Sequence, residues 1–244
     1  MTTIDGTVNF RDIGGLPRRD GGRTPGGVLF RSDTLATVTD TGLSQFAATG
    51  IATVIDLRTP AERDSAPDRL PPVPEPRVVD LPLLEGAVAQ MISMPSEELQ
   101  IPTLGELYID LLGHAGPVFA EVATIVGESG DGVLVHCSAG KDRTGVAIAV
   151  LLDAVGVDRA AVVADYAAST ERLAGPWAEQ VIELIKAFGI DPTPELITLA
   201  TTSPPEAIKT ALSWLDEQGG TRAYLLDHGA TAEQLDRLGA RLRA

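Results

Sequence analysis

Cysteine occurs once in this sequence of 244 residues, as Cys137. A single thiol makes no intramolecular disulfide and no Cys-rich zinc site. The three histidines, His114, His136 and His228, stand too far apart for metal-ligand spacing, so neither a metal nor another cofactor is expected. Lysine is nearly absent, with only Lys141, Lys186 and Lys209. Positive charge is short altogether: 19 Lys plus Arg stand against 34 Asp plus Glu, a formal charge of −15. Such a surface repels polyphosphate backbones and argues against nucleic acid as a partner. A site for any anion then needs concentrated local positive potential. No run of about 18 apolar residues is present, so a transmembrane segment is not expected. The start, Met1-Thr2-Thr3-Ile4-Asp5, lacks the basic and apolar parts of a secretory signal. The default expectation is a cytoplasmic protein, signal-less secretion aside.

What the chain does have is strands early and helices late. Val8-Asn9-Phe10-Arg11, Val28-Leu29-Phe30-Arg31, Ile51 to Leu57 and Val78-Val79-Asp80-Leu81 read as short strands. Thr39 or Asp40 caps a helix through Ala48, and Gly50 stops it. Pro67, Pro71, Pro72, Pro74 and Pro76 make 66–76 a loop, while 85–102, weakly periodic, reads as a mobile excursion. Helices follow from Leu104 to Leu112 and from Pro117 to about Glu128. Gly132 to His136 is the clearest buried strand, and a helix is expected over Val146 to Val155. Beyond it, 158–170, 176–188, 204–217, 221–228 and a last stretch from Thr231 read as helical. This order fits one α/β domain over 1–244, a mostly parallel central sheet flanked by helices, with 158–244 as its helical C-terminal extension.

The segment His136 to Thr144 carries the chemistry. A buried strand delivers Cys137, and a short loop then opens directly into a helix. Loop N–H groups can converge on one point there, and the helix N-terminus adds positive potential, which is how a tetrahedral oxyanion is bound. Arg143, six residues after Cys137, supplies a planar fork for two phosphate oxygens. The same donors favour a thiolate over a thiol, which makes the loop both nucleophile and oxyanion holder.

His136-Cys137, five further residues, then Arg143-Thr144-Gly145 resembles the HCx5R signature of cysteine-dependent phosphatases. The inner residues Ala139-Gly140-Lys141-Asp142 are similar to the bacterial tyrosine phosphatase B family, whose members act on phosphotyrosine and in some cases on phosphoinositides. The resemblance runs along nearly the whole chain, through Asn9 to Gly15, Leu29-Phe30-Arg31-Ser32, Ile55-Asp56-Leu57-Arg58, Ala164-Asp165-Tyr166 and Ala223-Tyr224-Leu225-Leu226. It implies the cysteine-dependent phosphatase fold. It implies Cys137 as the nucleophile of a phosphocysteine intermediate, with Arg143 and the N–H groups of the Ser138, Ala139, Gly140, Lys141, Asp142 and Arg143 segment holding the phosphoryl oxygens. Thr144 would hydrogen-bond the sulfur, and Lys141 would offer charge to a second phosphate. Asp142 would be the general acid, because an acid beside a dianion site needs a functional reason; Asp80, at a strand end, is its rival. Phosphotyrosine proteins or phosphoinositides are the implied substrates, and inorganic phosphate the product and bound ligand.

Blander readings stand beside these. His136, at a strand end, is expected to orient loop backbone as structural support rather than to transfer protons. Arg11, Asp12, Arg31 and Arg58 read as a buried ion network under the loop, and Asp165 and Tyr166 as pocket lining or core. Trp177, Val181, Leu184 and Phe188 share helical spacing, which favours core, with a lid over the pocket as the alternative. A nucleotide loop is excluded, since Val135 stands where its first glycine is needed and Asp142 where Ser or Thr would follow the lysine. Two other classes compete with the enzyme: a non-catalytic phosphate-binding pseudophosphatase, disfavoured by the presence of Cys137, Arg143 and Thr144 together, and a rhodanese-type sulfurtransferase, disfavoured by the Arg143-Thr144-Gly145 ending.

Overall fold

A five-stranded sheet runs through the molecule in the order β1-β2-β5-β3-β4. The computed structural model describes residues 3–83 and 102–243, so the excursion expected over 85–102 lies almost wholly outside the described residues. The strands are β1 (Arg11–Asp12), β2 (Leu29–Ser32), β3 (Ile51–Asp56), β4 (Arg77–Asp80) and β5 (Gly132–His136). All neighbours are parallel except β1, which runs antiparallel to β2 at the edge. The first strand is shorter than expected: the Asn9 side chain reaches the loop after β5, and Phe10 stacks on Phe30 of the smaller core.

Alternation along the strands builds two cores. Leu29, Ile55, Val133 and Val135 face the larger cluster, while Phe30, Val54 and Leu134 face a smaller one with Phe10, Leu35 and Phe46. The smaller face is covered by α1 (Asp40–Ala47), whose Thr39 accepts from the Gly42 N–H at 3.1 Å as expected of its cap. A short helix, α2 (Pro60–Ser65), follows β3 and buries none of its own residues. The larger face takes α3 (Leu104–His114), α4 (Gly116–Glu128) and α5 (Asp142–Ala154). The C-terminal part continues as α6 (Arg159–Ala167), α7 (Ser169–Arg172), α8 (Pro176–Ala187), α9 (Pro194–Thr201), α10 (Pro205–Glu217), α11 (Thr221–Asp227) and α12 (Ala232–Arg241). Helices α10 and α12 pack on α3 and α4, which binds this extension to the same core. Among the described residues no single helix is long and apolar enough to cross a membrane.

Three expectations are corrected here. The helix after the loop begins at Asp142, not Val146, so Asp142 and Arg143 sit in its first turn. The stripe on α8 is core only in part: Val181 packs against the larger cluster, while Leu184 and Phe188 are 54% and 56% exposed. Helix period tells which residues share a face, not whether another element covers it. Asp12 does not join an ion network; its carboxylate accepts the Gly14 and Gly27 N–H groups at 2.8 and 2.7 Å and closes the turn between β1 and β2.

Candidate active site

Cys137 follows the last residue of β5, the central strand, and is 2% exposed. The four carbonyls from Cys137 to Gly140 are each held by groups outside the loop. His136 Nδ1 lies 3.3 Å from the Cys137 oxygen, and the Thr34 N–H donates to the Ser138 oxygen at 2.9 Å. Asn9 Nδ2 donates to the Ala139 and Gly140 oxygens at 3.1 and 3.0 Å, and Arg31 adds a bond to Gly140 at 2.7 Å. In a trans peptide the N–H points opposite the C=O. Turning these carbonyls outward therefore aims the N–H groups of Ser138 to Lys141 inward, and among the described residues none of them has a protein acceptor. The helix that follows has no side-chain cap, so its first N–H groups and its dipole add to the same point. N–H groups gathered in this way form a concavity of the kind that can hold an anion.

Gly140 is dictated by geometry. Its φ is +64°, and a Cβ there would stand 2.2 Å from the Ser32 oxygen of β2. The loop is thus pressed against the neighbouring strand with no room for a side chain.

Beneath the nest two guanidiniums share one carboxylate. Arg11 Nε and Arg31 Nη1 donate to the two oxygens of Asp165 at 2.7 and 2.6 Å. Burial and the charge of Arg31 bring Arg11 down to about 10, still fully charged at neutral pH. In this cluster two guanidiniums stand against one carboxylate in a protein of net charge −15, which is the kind of local positive potential an anion site requires. The expectation of a buried network thus describes Arg11, Arg31 and Arg58. Arg58 pairs with Asp56 and Asp68 at 2.7 and 2.9 Å, and Asp68 Oδ2 lies 3.2 Å from His136 Nε2. The Asp56, Asp68 and His136 ligand atoms lie within 4.8 Å of one another, a set that could hold a metal, but Arg58 already supplies the cation there.

Arg143 is 5% exposed and grips Glu62 of α2 with both terminal nitrogens, at 2.7 and 2.6 Å. The Ser138 hydroxyl donates to the same carboxylate at 2.6 Å. Burial pushes the Glu62 carboxyl up, but the hydrogen bonds and charge of Arg143, with Ser138 and the Thr59 N–H, outweigh it and hold the group at about 2. A carboxylate held below its ordinary 4.5 stabilises the fold fully above that pH and loses the contribution as pH falls toward 2. Wild type is therefore expected to lose thermal stability more steeply than Glu62→Gln between about pH 5 and pH 2. Parallel melting curves in that range would miss this pairing altogether.

Asp142 is one-fifth exposed, at 20%; its Oδ1 accepts from the Tyr108 hydroxyl at 2.5 Å and lies 3.4 Å from Lys141 Nζ. Tyr108 in turn meets the Tyr166 hydroxyl at 2.8 Å, and burial raises both phenols above their ordinary range. Asp80 is half exposed, 3.6 Å from Arg63, on a strand separated from β5 by β3. Lys141 departs from its expected role: its buried ammonium donates to the Leu199 and Thr202 oxygens at 2.7 and 2.9 Å and so caps the end of α9. The Thr144 hydroxyl is buried and makes no hydrogen bond, so the expected bond to sulfur is absent from this geometry. Glu62, Tyr108 and Asn9 went unmarked as site residues in the sequence. Of these, Glu62 had a readable signal, since Thr59-Pro60-Ala61-Glu62 is a capping box directly after a strand.

The sequence model of the tyrosine phosphatase family matches residues 2–244. The chain belongs to that family. A tyrosine-protein phosphatase of Nostoc commune is 36% identical over 62% of this chain and 51% of its own length. A relative from Cupriavidus necator is 33% identical over 69% of this chain and 63% of its own. The triple specificity protein phosphatase PtpB of Mycobacterium tuberculosis is 28% identical over 96% of each. The chain thus spans about half of the first relative, under two thirds of the second and nearly all of the third. The α/β fold with its mostly parallel sheet is the one that the family resemblance implied.

Proposed function

We propose that the chain hydrolyses phosphomonoesters, phosphotyrosine in proteins first among them, through Cys137. The observation that carries this reading is the set of inward N–H groups from Ser138 onward, gathered above a cysteine and flanked by the Arg143 fork. Cys137 sulfur, as thiolate, attacks phosphorus while the bond to the leaving oxygen breaks and Asp142 gives that oxygen its proton. Water then attacks the phosphocysteine, Asp142 takes a proton from it, and inorganic phosphate leaves with the thiolate restored. Arg143 and the loop N–H groups hold the three equatorial oxygens throughout.

Asp142 is favoured over Asp80 as the acid because it stands in the first turn of α5, five residues after Cys137, whereas Asp80 faces Arg63. Asp142→Ala is expected to flatten the basic limb of the kcat profile and to hurt poor leaving groups far more than para-nitrophenyl phosphate. If Asp80→Ala behaves that way and Asp142→Ala does not, the roles are exchanged.

A substrate panel of phosphotyrosine peptide, phosphoserine peptide and phosphoinositide tests the class. Phosphotyrosine peptide is expected to be the best substrate. The relative named for triple specificity supports activity on more than one class. A substrate with a second phosphate would recruit Lys141 only by drawing its ammonium from the Leu199 and Thr202 oxygens. Phosphate release from para-nitrophenyl phosphate supports the enzyme; thiocyanate from thiosulfate, or no turnover with tight phosphate binding, would favour the sulfurtransferase or the pseudophosphatase.

A further inference from the structure

We infer that Tyr108 is the positioning residue for Asp142, leaving Oδ2 as the oxygen that carries the acid's proton. The inference deepens the phosphatase reading above and rests on it.

An aspartate in the first turn of a helix is ordinarily a partner of the helix dipole, and Asp142 stands in that turn of α5. A buried tyrosine ordinarily needs one partner for its hydroxyl, and Tyr166 at 2.8 Å would be enough for Tyr108. Neither need explains why the two side chains meet. Tyr108 lies on α3, 34 positions from Asp142, and is 2% exposed. Its hydroxyl nevertheless donates to Asp142 Oδ1 at 2.5 Å, the length of a short charge-assisted bond.

The two phenols leave one arrangement of hydrogens. Burial, with the charge of Asp142 second, pushes the Tyr108 phenol well above its ordinary 10, so it stays a donor throughout the neutral range. Its single hydrogen is committed to Oδ1, which makes Tyr166 the donor in the pair of hydroxyls. A proton placed on Oδ1 would then face the Tyr108 hydrogen, and relieving that clash would require both phenols to turn. A proton on Oδ2 disturbs neither. Oδ1 also stands 3.4 Å from Lys141 Nζ, whose positive charge repels a proton there. Oδ2 has no protein partner among the described residues, and the Asp142 side chain is 20% exposed.

The phenol is itself held. Its ring meets the Tyr166 ring edge to face, with centroids 6.0 Å apart. Tyr166 in turn lies over Gly145 of α5, where a Cβ would come 2.9 Å from its ring. The helix that carries the acid therefore also seats the pair that orients it.

Tyr108→Phe keeps the ring and removes the hydroxyl. Phenyl phosphate, with a poor leaving group, and para-nitrophenyl phosphate, with a good one, are compared in wild type, Tyr108→Phe, Asp142→Ala and the double variant. The quantity read is kcat/KM, because it includes the step in which the leaving oxygen takes its proton. Vanadate affinity is measured by calorimetry in each. In Tyr108→Phe, kcat/KM for phenyl phosphate is expected to fall at least tenfold and that for para-nitrophenyl phosphate less than threefold, with vanadate affinity within twofold. In the Asp142→Ala background the substitution is expected to add nothing to the ratio between the two esters. Tyr224→Phe is the control for a merely structural loss, since that buried phenol donates to the Leu112 oxygen of the same helix α3 at 2.7 Å. It is expected to lower the melting temperature and leave the ratio within twofold. Should Tyr108→Phe fail to fold, Tyr166→Phe lets the Tyr108 oxygen accept a proton carried on Oδ1, and a selective loss of at least twofold is expected.

An equal loss on both esters would reduce Tyr108 to packing, and a gain on phenyl phosphate would mean that it restrains the acid. A selective loss undiminished in the Asp142→Ala background would show that it acts apart from Asp142. Selectivity in Asp142→Ala but none in Tyr108→Phe overturns this inference alone. No selectivity in Asp142→Ala overturns the acid assignment with it, and a wild type that hydrolyses neither ester overturns the whole phosphatase reading.

Discussion

Cys137→Ser is expected to abolish turnover, by at least about ten-thousandfold, while phosphate and vanadate still bind. The hydroxyl is a far weaker nucleophile than a thiolate, and Asp142, which must carry a proton to serve the leaving oxygen in this step, is not then a base for serine. The cradle survives the change, because the outward pull on the carbonyls comes from Thr34, Asn9 and Arg31 rather than from sulfur. Isothermal calorimetry with phosphate and a turnover assay with para-nitrophenyl phosphate, both in EDTA, make the comparison. Residual turnover in the serine variant above about one part in a thousand, or activity that requires added metal, would remove Cys137 from the mechanism.

Arg143→Lys carries the second largest expected effect: a fall in kcat of at least about a hundredfold, the cost of one lost transition-state donor. Charge is conserved, yet an ammonium is a point charge and cannot present two parallel N–H groups to the phosphoryl oxygens. It also cannot span the two oxygens of Glu62, which the guanidinium bridges at 2.7 and 2.6 Å. The loss is expected mainly in kcat, with KM moving much less. A lysine variant within tenfold of wild-type kcat would assign Arg143 to holding α2 against the loop and nothing more.

The loop from Cys137 was legible because its chemistry is local. The strand Gly132 to His136 was read to the residue, since five buried positions in a row have a pattern of their own. A strand followed at once by Cys, and then through glycine by a helix, is the pattern expected of an oxyanion site, and it is complete within nine residues. The helices α2 and α9 were not read, although Thr59-Pro60 and Thr193-Pro194 each place a cap before a proline at the first helical position. Both open on a proline, and the rule that proline opens a helix competes with the rule that it ends one. The four-residue error at the start of α5 has a different origin. Glycine at 145 looked like part of the turn, but it lies inside the helix, where a Cβ would come 2.9 Å from the Tyr166 ring; close packing, not a turn, requires it.

The sequence by itself determined the candidate nucleophile Cys137 and its candidate partner Arg143, the order of the strands and of most helices, and the electrostatic need for buried cations in an acidic protein. These depend on residues within a few positions of one another or on sums over the chain. The tertiary structure decided how the charges pair: Glu62 with Arg143 across 81 positions, Tyr108 with Asp142 across 34, Lys141 with the end of α9 across 58 and 61, and two arginines with Asp165 across 154 and 134. An acid or a base in a sequence states only that a partner is wanted. Which partner it finds is fixed when the sheet sets β3 beside β5 and the helices close over both, because a hydrogen bond forms only within about 3 Å and nothing in a neighbouring residue encodes that distance.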